Sequence, residues 1–286
     1  MGLKLGIVVS LTEGADACLD RVVGLGLPTC QVAVPASLAL SNALAAELEL
    51  GARARGLEIT TIWTHCRDGQ IWNFVDGPAT IGLVPESTRR AAVERLKEGS
   101  DFARLAGVGS ITTHAGFIPE NPREPLFAAV VEALRAVCAH CRANGQSLWL
   151  ETGQETPVTL LRTIEEVGAD GAADRGRVTF PARNDLGVNL DPANLLMYGK
   201  ANPVDALDVI GPYVRGVHAK DGEYPTNGRE LGRERPLGEG RVDFPALIAR
   251  LKGLGYAGAL TIEREVRGPE QVAGIEQAKR MLAPLL

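Results

Sequence analysis

The chain has 286 residues, 45% hydrophobic and 23% charged, with 30 Lys+Arg against 35 Asp+Glu for a net charge of −5. That is a globular composition, long enough to bury a core without staples. No apolar run approaches the ~18 residues that cross a bilayer, and the acidic balance lacks the basic stripe of a nucleic-acid binder.

The first apolar run, over 5–9, reads as a strand and not as a signal peptide, because it is short and no small-x-small cleavage site follows. A helical pattern over 15–25 comes next. A strand over 29–34 precedes a helix over 41–55. A strand over 57–63 runs into a long loop, 66–84, which carries Trp72, Asn73 and Phe74, and then a helix over 85–106. The pairs 110–114 with 125–143, and 147–151 with 157–167, follow the same order. The stretch 168–185 reads as solvent-exposed and structural only. A strand over 186–191 leads to a helix over 203–210. The strand over 214–218 is separated from a helix over 244–254 by a loop, 219–242, rich in Gly, Arg and Glu. The last pair is 259–263 with 269–285.

Eight β-then-α units imply parallel strands with right-handed crossovers. In 286 residues they predict one α/β domain over 1–286, a (β/α)8 TIM barrel. A doubly wound open sheet would want a Gly-rich turn after the first strand. The chain instead reads Ser10-Leu11-Thr12-Glu13-Gly14 there.

The five cysteines, Cys18, Cys30, Cys66, Cys138 and Cys141, are odd in number and scattered, which predicts reduced thiols and a cytoplasmic protein. Cys138 and Cys141 have a redox or zinc spacing, but no second such pair exists and the surrounding pattern is helical. Both are read as buried helical thiols.

The strand ends carry the chemistry. The third strand leads into His65 and the fourth ends in His114. The fifth to eighth end in Glu151, Asp191, His218 and Glu263. Three of the four histidines fall at these ends, and the fourth, His140, lies in a helix. In a closed barrel the ends converge on one mouth. Three carboxylates gathered without a cation would repel. A divalent metal resolves that charge, and three carboxylates with one imidazole suit Mn2+, Co2+ or Mg2+ better than a sulfur-rich zinc site.

Several segments carry a family likeness. They are Trp149-Leu-Glu151-Thr-Gly-Gln-Glu155, Gly187-Val-Asn-Leu-Asp191-Pro-Ala-Asn194, Val217-His218-Ala-Lys-Asp221-Gly222, Pro236-Leu-Gly-Glu-Gly240-Arg-Val-Asp243-Phe244 and Thr261-Ile-Glu263-Arg-Glu265. Together they resemble the xylose isomerase-like TIM-barrel superfamily of sugar phosphate isomerases and epimerases, ketose 3-epimerases and inosose dehydratases. The resemblance implies metal ligands at Glu151, Asp191, His218 and Glu263, for one divalent cation, Mn2+ first and Co2+, Mg2+ or Zn2+ as alternatives. It implies Glu151 and Glu263 as the acid/base pair of an isomerase or epimerase acting on a keto sugar or related polyol through an enediolate. The same enolisation serves a dehydratase of a 3-keto sugar or inosose, which is the alternative reading. Substrate-facing candidates are His65, His114, Gln154, Glu155, Asn194, Lys220 and Asp221, with Arg233 and Arg235 as alternatives for one substrate arginine. Many relatives carry His where this chain has Asn194, and an amide cannot titrate near neutrality. The resemblance also implies a homo-oligomer, and no phosphate-cradling Gly loop is present, which favours an unphosphorylated sugar. Nucleic acid and membrane are not expected partners. An abasic-site endonuclease on this barrel would need more His and acidic ligands than these strand ends supply, and a sugar-binding protein would not need all four ligand positions.

Overall fold

The predicted strands and helices recur in the computed structural model, which describes residues 2–168 and 185–286. The strands are β1 Lys4–Ser10, β2 Thr29–Val34, β3 Glu58–Thr64, β4 Ser110–Thr113, β5 Ser147–Glu151, β6 Leu186–Leu190, β7 Val214–Ala219, β8 Asp221–Gly222, β9 Glu234–Arg235 and β10 Ala259–Ile262. The helices are α1 Ala15–Gly24, α2 Asn42–Arg55, α3 Glu86–Leu105, α4 Pro125–Ala143, α5 Pro157–Gly168, α6 Pro192–Met197, α7 Pro203–Ile210, α8 Phe244–Gly253 and α9 Pro269–Leu282. Eight strands close in the order β1-β10-β7-β6-β5-β4-β3-β2, every pair parallel. This is the (β/α)8 barrel that the count of units predicts. The stretch 168–185 falls almost wholly at 169–184, outside the described residues.

Local chemistry sets the element ends. Ser41 caps α2, its Oγ accepting from the Leu44 amide at 3.1 Å, and Gly56 ends that helix at φ +64°, where a side chain would be strained. Asn202 and Asp243 cap α7 and α8 in the same way, each followed by a proline in the first turn. Two features were not anticipated. Helix α6 has six residues, too few for a periodic signal, yet Asp191 caps it and Pro192 opens it. The antiparallel pair β8-β9 joins only Asp221 to Arg235 and Gly222 to Glu234, so no alternating run announces it.

Strand residues alternate between two environments, as a period of two requires. Cys30, Val32, Leu148, Leu150, Val188, Leu190, Leu260 and Ile262 are buried and belong to the apolar core. Gln31, Trp149, Gly216 and Thr261 line a cavity that is also bordered by exposed Glu58 and Arg215 near the strand starts. The interior layer is therefore polar, with Thr61 Oγ1 3.0 Å from Thr112 Oγ1 and Gln31 bonded to Asn189. The strand-end residues Glu151, Asp191, His218 and Glu263 lie two positions beyond Trp149, Asn189, Gly216 and Thr261, so they inherit the inward face.

Cys138 and Cys141 are buried in α4, and all five cysteines are unpaired. Burial pushes the Cys141 thiol up to about 11. His140 lies on the same helix with Nε2 2.9 Å from Asp101 Oδ1, joining α4 to α3. Among the described residues no helix is long and apolar enough to cross a membrane.

Candidate functional site

Four neighbouring strands, β5, β6, β7 and β10, each bring one residue to the mouth. Glu151, Asp191, His218 and Glu263 are all buried, and one ligand atom of each lies within 4.8 Å of the others. The Nδ1 of His218 stands 3.1 Å from Glu263 Oε2, 3.4 Å from Glu151 Oε1 and 3.5 Å from Asp191 Oδ2. Glu151 Oε2, Asp191 Oδ2, His218 Nδ1 and Glu263 Oε2 are buried without a hydrogen-bond partner. Buried polar atoms are ordinarily paired. Four ligand groups so close together, each with a buried atom that has no hydrogen-bond partner, fit a cation.

Asp191 and Glu151 are each aimed by a second bond of the carboxylate. Asp191 Oδ1 accepts the Asn194 amide at 2.9 Å as the cap of α6, which leaves Oδ2 for the cluster. Thr152 pins the β5 and β6 ends together, its Oγ1 donating to Asp191 O at 2.9 Å and accepting from the Asp191 amide at 2.8 Å. Asn194 Nδ2 donates to Glu151 Oε1 at 3.1 Å.

The charge is uneven. Lys220 Nζ is buried 3.2 Å from Glu263 Oε2 and 3.6 Å from Asp191 Oδ2, and it also bonds Glu265 and Asn194 Oδ1. Burial alone would raise the Glu263 carboxyl, but the charges of Lys220 and His218 outweigh it and hold the group well below the usual range. At Glu151 burial wins and, helped by the neighbouring carboxylates against the pull of His218, pushes the carboxyl up to about 7. Burial opposes protonation of His218, yet the surrounding carboxylates lift it well above the ordinary value. Two glutamates in one cluster are thus pushed in opposite directions.

The remaining candidates divide. His114 is buried with Nε2 3.5 Å from Glu151 Oε1, and burial lowers it to about 3, so its ring is neutral. Gln154 Nε2 is 3.5 Å from His114 Nδ1. His65 packs on Trp63 with ring centroids 4.7 Å apart. Trp72 reaches His114 at 5.0 Å from the loop after β3, and Phe74 meets Tyr198 at 6.2 Å. Glu155 is buried with Oε2 unpaired, and burial pushes it up to about 8, but it bonds no member of the cluster.

Three substrate-facing candidates are engaged away from the cluster. Asp221 Oδ1 accepts the amides of Gly222 and Val242 and its Oδ2 those of Gly238 and Gly240, at 2.8 to 3.0 Å. It organises the loop after β7. Arg235 is held by Glu223 at 2.8 Å, and Arg233 is exposed, its carbonyl paired to the Glu223 amide at 2.9 Å. Neither arginine touches the cluster.

Other contacts were not foreseen. Trp63 lies 6.2 Å from the His218 ring and 5.8 Å from His114. Gln31 Oε1 is 2.9 Å from His218 Nε2, and Asn189 Nδ2 is 3.0 Å from the same atom. A signal existed for both amides. Gln31 interrupts an apolar strand, and Asn189 precedes Asp191 by two, on the same face.

Residues 19–285 match the family described as xylose isomerase-like TIM barrel. Among solved structures, the xylose isomerase domain protein from Planctomyces limnophilus superposes with a TM-score of 0.88 at 33% identity, covering 99% of this chain and 97% of that one. A D-tagatose 3-epimerase-like protein gives a TM-score of 0.71 at 18% identity, covering 99% and 97%. A xylose isomerase-like TIM barrel protein from Mycobacterium smegmatis, in complex with magnesium, gives 0.67 at 19% identity, covering 99% and 96%. The last two are likenesses of fold. An uncharacterized protein of Methanocaldococcus jannaschii is 24% identical over 191 residues, 63% of this chain and 59% of that relative, so the match spans about three-fifths of its length.

Proposed function

Because the chain belongs to the xylose isomerase-like TIM-barrel family, we propose that it is a divalent-metal-dependent isomerase or epimerase acting on a keto sugar or related polyol. One observation carries this reading: Glu151, Asp191, His218 and Glu263 bring ligand atoms within 4.8 Å of one another, and each has a buried atom without a hydrogen-bond partner. These residues would hold the cation, and three carboxylates with one imidazole suit Mn2+, with Co2+ or Mg2+ as close alternatives. When bound, the cation supplies Lewis acidity that favours negative charge on substrate oxygens. The likeness to a 3-epimerase-like protein and to a magnesium-bound barrel agrees with this reading.

The chain's own residues handle the proton. Glu151 and Glu263 end strands at opposite ends of the arc β5-β6-β7-β10. One takes the proton from the carbon beside the carbonyl and the other returns a proton from the far side, which inverts that carbon. Return to the adjacent carbon interconverts aldose and ketose, and loss of a hydroxyl β to the carbonyl gives dehydration. His114, Gln154, Asn194 and Lys220 border the same space and orient substrate hydroxyls. Trp63 and Trp72 supply an apolar wall beside them.

The test combines metal analysis with isotope exchange. The protein is incubated in heavy water with a panel of 2-keto and 3-keto sugars, with and without Mn2+. We expect deuterium to enter the carbon next to the carbonyl only when metal is present. A metal-loaded protein that exchanges none of the panel would overturn the reading.

A further inference from the structure

His218 is held from below as well as from the mouth. Its Nδ1 faces the carboxylates, and its Nε2 points back into the barrel, 2.9 Å from Gln31 Oε1. Gln31 lies on β2, a strand that contributes none of the four clustered residues. Gln31 Nε2 donates to Asn189 Oδ1 at 3.0 Å, and Asn189 Nδ2 donates back to Gln31 Oε1 at 3.4 Å. The three side chains are 0–1% exposed and bond one another.

A ring that ligates a metal is neutral, and with the two amides oriented as they are, one tautomer of that neutral ring gives Gln31 Oε1 a proton to accept. Asn189 Nδ2 also stands 3.0 Å from His218 Nε2, but an amide NH2 can only donate. If Nε2 accepted from it, Gln31 Oε1 would face a lone pair on the same nitrogen. With the ring proton on Nε2, that proton goes to Gln31 Oε1 and the two amides bond each other. The lone pair of the neutral ring is then on Nδ1, among the carboxylates. Space for this pairing comes from Gly216 on β7, where a Cβ would collide with Asn189 Oδ1.

We propose that Gln31 and Asn189 are positioning residues that hold the His218 ring proton on Nε2 and so present Nδ1 as a metal ligand, setting the affinity of the site for its cation. This rests on the metal reading given above. Outer partners of a ligating imidazole act this way in general, fixing tautomer and ring orientation and raising ligand basicity.

The variants follow from the surroundings. Gln31 lines a cavity of ≈ 250 Å³, so truncation to Ala would admit a water able to replace the amide. Gln31→Met keeps the length of the side chain and removes the acceptor. Gln31→Glu keeps an acceptor for Nε2–H. The full chain is stripped with chelator and titrated with Co2+ against a chromophoric competitor. We expect Gln31→Met to weaken Co2+ binding about 10- to 100-fold, with a changed visible Co2+ spectrum, and Gln31→Glu to stay within about 3-fold of wild type. Circular dichroism and thermal midpoints of the metal-free forms check the fold. In Zn2+-loaded wild type with 15N-labelled histidine, the His218 ring proton should appear on Nε2, slow to exchange. A ring proton on Nδ1 overturns the proposal without any variant, and so does a folded Gln31→Met that binds Co2+ as wild type does. Wild type that binds no divalent cation overturns the metal reading itself, which separates the two failures.

Discussion

Glu151 and Glu263 carry the same carboxyl in different surroundings. Lys220 stands 3.2 Å from Glu263 and holds it ionised, while burial pushes Glu151 up to about 7. Glu263→Gln should keep the circular dichroism spectrum and lower metal-dependent deuterium exchange about 10²- to 10⁴-fold, the range of one acid–base group. An unchanged exchange rate would remove Glu263 from the mechanism. Glu155 predicts a pH effect on stability. Burial raises its carboxyl from the ordinary glutamate value to about 8. Between those values the folded chain keeps a proton that the unfolded chain has released. Its contribution to stability therefore falls as pH rises through that window, with a slope of at most about 1.4 kcal/mol per pH unit. Glu155→Gln should show a higher thermal midpoint than wild type near pH 8 and a smaller difference near pH 5. A difference that does not grow with pH would mean that Glu155 stays ionised in the folded chain.

At the scale of elements, the loop after β7 shows how one carboxylate can organise a segment. Asp221 accepts four backbone amides, from Gly222, Gly238, Gly240 and Val242. Asp221→Ala leaves those donors without an acceptor; two of them, on Gly222 and Val242, are buried, and each orphaned buried donor costs about 1–3 kcal/mol. We expect a loss of about 2–6 kcal/mol in denaturant unfolding, and faster amide exchange confined to residues 221–242 if the loop opens locally. Wild-type protection at those amides would exclude this role. The sequence showed Asp221 beside His218 and Lys220, and proximity along the chain suggested a shared site. Adjacent residues of extended chain point to opposite sides. Lys220, between β7 and β8, turns to the carboxylates, and Asp221, in β8, turns away to the loop. Helix ends depend on closer partners, because Ser41, Asn202, Asp243 and Gly56 act on their own neighbours.

Over the whole molecule, barrel closure forces three buried carboxylates together, and that cost is offset in the metal-free chain by Lys220 and His218. A divalent cation that binds only the folded chain stabilises it by mass action, about 2.7 kcal/mol at a hundredfold excess over Kd. Added Mn2+ should raise the thermal midpoint, chelator should reverse it, and Asp191→Asn should blunt the response. A midpoint indifferent to Mn2+, Co2+ and Mg2+ alike would count against the site.

The chain by itself determined the order of eight strand–helix units and the polar residues at the ends of the third to eighth strands. Those properties depend on side-chain period, so they are written locally. Tertiary structure decided which of the polar residues meet. Gln31 reaches His218 across 187 residues of sequence. The parallel register that sets Glu151 beside Asn189 and His218 beside Thr261, with closure of β1 on β10, brings their side chains to one interior. Register between strands is a long-range property, and a shift of one residue would turn each of these groups to the opposite face.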